Sequence, residues 1–562
     1  MKRMSNDHYL KIHYMNSEAC TASFLPVVLG FVLIALLLSW QSAMADKKSF
    51  CGPKDKGLLF KRANKSRKHN LFCHELEMAQ SQYICATPEL RHEPDVNAPT
   101  TLLLTPDACG DLAAPNFPPL DPAPLPWVEP SFWQRCIDEH EEVTDFLVQP
   151  GDYTNWGRLW AYEASGLPEH KRVIRYWGPL RDLHPAHRLE SGPNYEATIS
   201  GFSFSDASNW ILHGLTVRHP SHSHPVGFIG FSGSIKKTKG SYDVIVDSML
   251  IENSVGYGIR ISGGSRNCVQ NSIIRNSKVG KADRPGIQIK PFGNTIDDPT
   301  VNNRIINNEI YNFGDSIAIT SLTAQNPGNV DGTIIDENDF YLTPDYISNL
   351  EDGRSGCTEN GIDIKVGSDD SSNPVLIKNN RIWGTRFIRL CGGTGDGIVV
   401  HQQAKNIEIR QNIIFDLPVG LTVKIFPDND PPLTSRNILI ERNLFYGIKA
   451  FRNDNPLPSH DAAILSLQTP EIVRDNIFAH SDRLFAGDVK DSVTEASVFE
   501  DNQVIAIPDL DHVPPGFFSN NMVWEKFPRR KISDYSFWTN RWACCNTKVL
   551  KKAFVHKFEH DD

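Results

Sequence analysis

Long basic tracts are absent from this 562-residue sequence, in which 57 Lys and Arg stand against 67 Asp and Glu for a formal net charge of −10. Proteins that bind the nucleic-acid backbone need clustered positive charge, so this class is disfavoured. Long helix-forming tracts are also scarce, whereas Gly (38) and Pro (37) are frequent. This composition favours short strands joined by turns. Because 40% of the residues are hydrophobic, the chain can bury a core, and disorder as its main state is excluded.

Long apolar runs are absent as well, except for one near the N-terminus. Residues 24–40 carry no charge, follow three basic residues and precede Ala-Met-Ala at 43–45, the small-x-small pattern that signal peptidase accepts. We therefore predict a signal peptide over residues 1–45 and a secreted or periplasmic protein without a membrane partner after cleavage. An uncleaved anchor is the alternative, although 17 residues are short for a span.

Cysteines are concentrated in the first part of the mature chain. Of the 11 cysteines, Cys20 lies in the predicted leader, and the even number that remains suits an oxidising compartment. Five of them, together with a proline-rich stretch, lie within residues 46–139. We predict a disulfide-pinned N-terminal extension and cap there, with the cysteine pairing left open and a short helix over residues 132–141.

An internal repeat is the most informative feature of the chain. An Asn-x-apolar motif recurs at intervals of 30 to 42 residues, at Asn271, Asn308, Asn338, Asn380, Asn412, Asn443 and Asn476. Each Asn separates two short alternating strands, and a second motif, Gly-apolar-x-apolar, follows near residues 258, 286, 316, 361, 397, 420 and 463. Such a period indicates stacked supersecondary units. Three short strands per unit predict an all-β, right-handed parallel β-helix over residues 140–485, followed by a C-terminal tail or cap over 486–562.

The repeat resembles the pectate-lyase-like family of secreted β-helix proteins, many of which are polysaccharide lyases, with epimerases and glycoside hydrolases as relatives. The resemblance rests on the Asn turns, the Pro-Gly-Asp-Tyr opening at 150–153 and the segment ENGIDIK at 359–365. It implies a β-helix fold and activity on an acidic polysaccharide. Because folds of this kind also serve as adhesins, fold alone does not decide function.

Alternation along the Gly-apolar-x-apolar strands places two columns of side chains on the outer face. The first column is Arg260, Gln288, Ala318, Asp363, Val399 and Thr422. The second column is Ser262, Lys290, Thr320, Lys365, His401 and Lys424. Stacking of the coils would bring these cations together as a basic stripe on an acidic protein. Since long, variable loops flank this strand, we expect it to form the floor of a cleft, with Cys357 and Cys391 as a candidate disulfide at its rim.

A basic cleft suits β-elimination of a uronate. The C5 proton becomes acidic only when the neighbouring carboxylate is neutralised, after which a base removes it and the 4-oxygen leaves. In the lyases that this chain resembles, a Lys or Arg on this sheet commonly acts as the base. By position, the predicted base is Lys365, the second proton-transfer or binding group is His401, and the carboxylate binders are Arg386, Lys290, Lys424 and Arg260. We expect the neighbouring cations to lower the pKa of Lys365.

Calcium is the expected cofactor, since hard cations need several oxygen ligands. The candidate ligands are Asp363, Glu359, Asp369, Asp370 and Asp396. An ordinary turn explains the Asp-Asp-Ser-Ser-Asn-Pro run at 369–374 equally simply, and a solubilising surface explains the Lys column.

The sequence therefore predicts a polysaccharide lyase that acts on a uronate-containing glycan as a monomer, without a nucleic-acid partner. A non-catalytic carbohydrate-binding or adhesion protein is the alternative. A glycoside hydrolase needs a carboxylate pair, and the columns offer only Asp363. An epimerase is a minor alternative, because residues 458–461 (PSHD) resemble the DPHD motif of mannuronan epimerases without its first Asp.

Overall fold

A computed structural model describes most of the chain between Tyr83 and Trp524. The described residues are 83–91, 93–105, 132–156, 159–162, 165–218, 227–229, 240–254, 256–277, 284–291, 300–321, 328–346, 359–385, 395–426, 433–449, 462–486, 497–510, 513 and 517–524. The predicted signal peptide, the cysteines at 357 and 391, and the PSHD segment lie outside them.

Three long parallel sheets dominate the described part of the chain. Sheet A has thirteen strands: Thr101–Leu104, Asp145–Val148, Arg172–Tyr176, Ser208–His213, Tyr242–Asp247, Cys268–Gln270, Arg304–Ile306, Ile334–Asp336, Val375–Lys378, Lys405–Arg410, Arg436–Glu441, Ile472–Arg474 and Val498–Glu500. Sheet B also has thirteen: Gly151–Tyr153, Ala197–Ile199, Thr216–Arg218, Leu250–Glu252, Ile273–Arg275, Glu309–Tyr311, Asp339–Tyr341, Arg381–Trp383, Ile413–Phe415, Leu444–Tyr446, Ile477–Ala479, Gln503–Ile505 and Met522–Trp524. Sheet C has ten: Leu159–Tyr162, Phe202–Ser205, Gly227–Ile229, Ile259–Ser262, Ile287–Lys290, Asp315–Ile319, Asn360–Ile364, Asp396–Val400, Val419–Val423 and Ala463–Leu467. A short antiparallel pair, Ile425–Phe426 with Leu433–Thr434, lies beside them.

The chain visits the three sheets in turn, so each coil contributes one strand to sheet C, one to sheet A and one to sheet B. Strands of successive coils pair in parallel, as Ile362 with Ile398 in sheet C and Ile377 with Ile409 in sheet A. These isoleucines are fully buried and form part of one continuous core. The prediction of a right-handed parallel β-helix is confirmed. Since one coil cannot bury its apolar side chains alone, stacking is what creates the core.

The turn between sheets A and B is short and carries a buried asparagine ladder. Asn380 accepts hydrogen bonds from the backbone N–H and side chain of Asn338, both at 3.0 Å, and its own side chain donates to Asn412 at 3.0 Å. The preceding residue, such as Asn379 (φ 55°), adopts a left-handed conformation. Asn tolerates this conformation better than most residues. The ladder thus satisfies backbone groups that the turn would otherwise bury without partners.

One member of the predicted Asn ladder is displaced by one residue. Asn271 occupies the left-handed position (φ 53°), and the neighbouring Ser272 stands at the ladder position, where its N–H donates to Asn308 at 3.0 Å. The repeat interval at this coil is therefore one residue shorter than the motif alone indicates.

Helices are few and lie at the periphery. They are α1 (Phe132–Glu139), α2 (Pro185–Ser191) and α3 (Phe517–Asn520), with 3-10 turns at Pro88–Arg91, Thr154–Trp156 and Pro193–Tyr195. The predicted helix at 132–141 is confirmed as α1. Its Trp133 is 1% exposed and packs on Tyr153 and Trp156 of the first coils, so α1 covers the N-terminal end of the core. Within the described residues no helix has the length and apolarity needed to cross a bilayer.

The described part of the N-terminal extension packs against the β-helix. A disulfide joins Cys85 to Cys268 of sheet A, and the side chain of Gln270 binds both the N–H and the carbonyl of Cys85. Strand Thr101–Leu104 extends sheet A before residue 140. At the other end, strands Val498–Glu500, Gln503–Ile505 and Met522–Trp524 continue sheets A and B past residue 485.

Candidate functional site

Parts of the outer faces of sheets A and B are covered by other elements of the chain. On sheet A, Cys85 and Leu90 pack over an apolar cluster that includes Ile211 and Ile245. On sheet B, Ala186 and Leu189 of α2 pack over Leu250 and Ile273. In contrast, the outer face of sheet C carries the polar columns, and in most coils the chain segments before and after its strands are longer than the turn between sheets A and B. This difference makes sheet C the candidate site.

The register of sheet C confirms both predicted columns. The first pairs Arg260 with Gln288, Gln288 with Ala318, Ala318 with Asp363, Asp363 with Val399 and Val399 with Thr422. In the second, Lys365, His401 and Lys424 each donate a backbone N–H to the coil below, at 2.8 to 2.9 Å. The three side chains therefore stand on consecutive coils, as the repeat predicts.

Asp363 is the centre of the site. Its Oδ1 lies 2.6 Å from Nε2 of His401, and its Oδ2 lies 3.0 Å from Nζ of Lys365. The Asp363 side chain is 4% exposed, whereas those of His401 and Lys365 are 14% and 29% exposed. One buried carboxylate thus holds two potential proton-transfer groups on adjacent coils, with the lysine the more accessible to solvent.

This arrangement keeps Asp363 ionised. Burial alone would raise the pKa of the Asp363 carboxyl, but the hydrogen bond and charge of His401 and the charge of Lys365 outweigh it, so its pKa is lowered. For Lys365, burial alone would lower the pKa of the ammonium, yet the charge of Asp363 and the hydrogen bond to it raise it overall. The expectation of a lowered Lys365 pKa is therefore wrong. That expectation was based on the cations of the column alone and did not include the carboxylate of Asp363, which is paired with Lys365.

A second carboxyl group lies behind the first. Asp315 is 3% exposed, and its Oδ1 accepts hydrogen bonds from the backbone and side chain of Asn360 on the next coil. Burial, together with the charges of Asp363 and Glu359, raises the pKa of Asp315 well above its usual value. The sequence analysis missed Asp315 and Asn360. Their signal was present, since each stands two residues before an inward isoleucine of its strand.

The remaining predicted binding residues fall on the same face. Lys290 lies two coils below Lys365, and Arg260 lies on the coil before Lys290. Burial and the charge of Arg260 lower the pKa of Lys290. Lys424 follows His401 on the next coil. Arg386 lies outside the described residues.

The predicted calcium ligands stand at several positions on the sheet C strands and in the turn after one of them. Asp363 stands on the outer face of sheet C, and Asp396 is buried at the start of the following strand. Asp369 pairs with Lys405 at 2.8 Å, and Asp370 accepts hydrogen bonds from Ser372, so both belong to the turn after the strand. Glu359 precedes the strand. Within the described ranges, no group of three or more His, Cys, Asp and Glu side chains is arranged to hold a metal ion.

Comparisons with known proteins gave matches among solved structures. No family model and no curated protein matches it. Among solved structures it is similar to a mannuronic acid specific polysaccharide family 6 lyase from human gut microbiota (15% identity, 74% of this chain and 93% of that chain, TM-score 0.46). It is also similar to a surface adhesin of Streptococcus pneumoniae (15%, 70% and 86%, TM-score 0.42) and to a periplasmic alginate epimerase (14%, 65% and 77%, TM-score 0.34). At these identities the likeness concerns fold and does not choose among the three activities.

Proposed function

We propose that this protein is a secreted polysaccharide lyase that cleaves a uronate-containing glycan by β-elimination. The observation that carries the proposal lies on the outer face of sheet C: Lys365 and His401 lie 3.0 and 2.6 Å from the carboxylate of Asp363, which they share. Proton-transfer groups held in fixed positions in a cationic cleft are what this reaction requires.

In the proposed reaction Lys365, in its neutral form, accepts the C5 proton of the bound uronate. The electron pair of the C5–H bond forms the C4=C5 double bond, and the bond between C4 and the glycosidic oxygen breaks. His401, on the next coil, donates a proton to the departing oxygen. Lys424 neutralises the uronate carboxylate and thereby stabilises the charge that develops as the proton leaves.

Asp363 acts on the reaction through its two partners. It fixes the positions of Lys365 and His401, and its negative charge makes the neutral amine of Lys365 a stronger base. The same charge makes that neutral amine rarer at neutral pH, because the pKa of Lys365 is raised. Proton abstraction by Lys365 is therefore expected to accelerate with rising pH.

A non-catalytic carbohydrate-binding or adhesion protein is the second candidate. The raised pKa of Lys365 favours this function, since the charged form of a lysine binds a carboxylate and accepts no proton. A glycoside hydrolase fits less well, because Asp363 is the only carboxylate that the two outward columns of sheet C contribute.

The experiment that tests the proposal is ultraviolet absorbance of the unsaturated uronyl product formed from pectate, alginate and glycosaminoglycans. The unaltered protein should produce the signal with one of them, Lys365→Ala should abolish it, and Lys405→Ala should retain it as a matched control on sheet A. Loss of the signal in EDTA would support the expected calcium requirement. A flat trace on every uronate, with glycan binding retained, would overturn the lyase in favour of the binding protein.

A further inference from the structure

A compact group of cations lies on the sheet C face, on coils that precede the coil of Lys365. The guanidinium carbons of Arg260 and Arg284 lie 5.5 and 5.4 Å from the ring centre of Tyr257. Lys290 stands on the coil after Arg260, close enough for the charge of Arg260 to lower its pKa. Two arginines thus share one aromatic ring, and a lysine completes the group. We name Arg260, Arg284 and Lys290 the distal cation group.

No carboxylate balances this group in the described part of the chain. Other basic residues nearby have acidic partners, Lys365 with Asp363 and Lys405 with Asp369, whereas none of the three distal cations forms an ion pair with a described residue. Nε of Arg260 is buried and has no described hydrogen-bond partner. Like charges held together without a counterion are unfavourable, and a site that binds an anion is the arrangement in which they become favourable.

The group lies at a defined distance from the proposed reaction centre. Lys290 is two coils below Lys365 in the same column, and neighbouring coils are about 4.8 Å apart, which places the two positions roughly 10 Å from one another along the helix axis. Each saccharide residue lengthens a glycan chain by about the spacing between neighbouring coils. A chain lying along the axis therefore presents a sugar two to three residues from the reacting one to the distal cation group.

We propose that the distal cation group is a second anion subsite, which binds the carboxylate of a uronate two to three residues from the cleaved bond. This inference rests on the proposed function. It adds the orientation of the glycan on sheet C and the recognition of a second uronate carboxylate. The glycan lies parallel to the axis of the β-helix. Productive binding requires one uronate at the reaction centre and a second uronate at the distal cation group. Arginine guanidinium groups suit this role because they bind a carboxylate through two parallel hydrogen bonds.

The test is a binding measurement that needs no turnover. Calorimetric titration of the inactive Lys365→Ala protein with oligomannuronates and oligogalacturonates of two to six residues should give affinity that rises steeply between the dimer and the tetramer. Adding Arg260→Ala or Lys290→Ala should lower tetramer affinity about ten-fold and leave dimer affinity unchanged. Arg436→Ala, an exposed arginine on sheet A, is the matched control and should change neither.

The possible results test the subsite independently of the proposed lyase activity. Equal tetramer affinity in Arg260→Ala, Lys290→Ala and the control would overturn the subsite even if the protein proves to be a lyase. Conversely, length-dependent binding that Arg260→Ala removes would support the subsite even if no unsaturated product forms. Tetramers with methyl-esterified carboxyl groups should bind no more tightly than the charged dimers, and tight binding of these neutral chains would contradict carboxylate recognition.

Discussion

At the scale of single residues, the chemistry of sheet C depends on which charges are paired. Asp363 binds Lys365 and His401 on neighbouring coils, so the lysine in the middle of the basic column is the one whose charge is most strongly stabilised. Lys290, two coils away, has no such partner among the described residues, and burial together with Arg260 lowers its pKa. Residues that look alike in one column therefore have pKa values shifted in opposite directions.

The first prediction concerns the pH dependence of turnover. Because the neutral amine is the active form, the rate should rise with pH toward the raised pKa of Lys365. Asp363→Asn removes the charge that raises this pKa, so the rising limb of the pH–rate profile should move to lower pH while the maximal rate falls. Initial rates of unsaturated product formation from pH 6 to well above the ordinary lysine pKa of 10.5 measure both. A rising limb that stays in place in Asp363→Asn would show that Lys365 is not the titrating base.

The second prediction concerns stability and the buried Glu471. Its carboxyl binds the N–H of Ile438 and the hydroxyl of Thr469, and burial raises its pKa to about 8. The folded protein thus keeps a proton that the unfolded chain loses above its ordinary pKa of 4.5, so stability is lost as pH rises from 4.5 to 8. In Glu471→Gln the amide oxygen accepts from the Ile438 N–H, and the amide N–H donates to the Thr469 hydroxyl in a bond of reversed direction. This substitution should stabilise by up to about 3 kcal/mol at pH 7.

Thermal unfolding at two pH values checks this stabilisation. The gain in Tm of Glu471→Gln should be clear at pH 7.5 and nearly absent at pH 4.5. Glu500→Gln, an exposed glutamate on the next strand of sheet A, should show no gain at either pH. An equal gain for Glu471→Gln at both pH values would mean that ionisation of Glu471 is not the cause.

At the scale of structural elements, the turn between sheets A and B fixes how the coils stack. Each ladder Asn is buried and binds the coils before and after it, as Asn380 does through Ile335 and Asn338 of the preceding coil and Asn412 of the following one. Parallel strands this short have few hydrogen bonds of their own, so the ladder contributes strongly to register. At one position of the ladder a serine, Ser272, stands in place of Asn, and its backbone N–H still donates to the next Asn of the ladder. A shorter side chain is therefore tolerated at this position.

The third prediction follows from this ladder. Asn380→Ala leaves the N–H of Asn338 and the carbonyl of Ile335 buried without their partner, at about 1–3 kcal/mol each. We expect a loss of about 3 kcal/mol in the free energy of unfolding, measured by urea denaturation. The exposed Asn520→Ala should change stability by less than about 0.5 kcal/mol. Similar midpoints for the two variants would show that the ladder is not a major source of stability.

At the scale of the whole molecule, the three sheets serve different purposes. Sheet A carries the N-terminal segment, attached by the Cys85–Cys268 disulfide and by Gln270. Arg304 also donates to the carbonyl of Tyr83, and Lys378 lies 4.3 Å from the Tyr83 ring centre. Sheet B carries α2, which leaves sheet C as the face for the proposed substrate. A disulfide is also compatible with the expected export from the cytoplasm.

The fourth prediction tests this separation of roles. Replacing Cys85 and Cys268 with Ser should release the N-terminal segment from sheet A and lower stability by about 2–5 kcal/mol. Limited proteolysis should then cut first within residues 83–105, while the initial rate on the uronate substrate stays unchanged because the proposed site lies on sheet C. A parallel loss of activity in the folded double variant would show that the segment supports the site.

The sequence determined the β-helix and the register of its site face. The spacing of the Asn turns and the alternation of Ile362 and Ile364 with Asp363 fix which side chains point outward, since side-chain direction in a strand alternates with a period of two. These patterns are local and repeat in every coil. They therefore placed Lys365, His401 and Lys424 in one column before any tertiary contact was known.

Only the tertiary structure decided which charges meet. The pairing of Asp363 with His401 joins two columns on adjacent coils at 2.6 Å, and the disulfide joins residues 183 apart in sequence. The physical reason is that a pKa or an ion pair depends on burial and on distances of a few ångströms. Loops of unequal length and segments from other coils set those distances, and the repeat does not encode them.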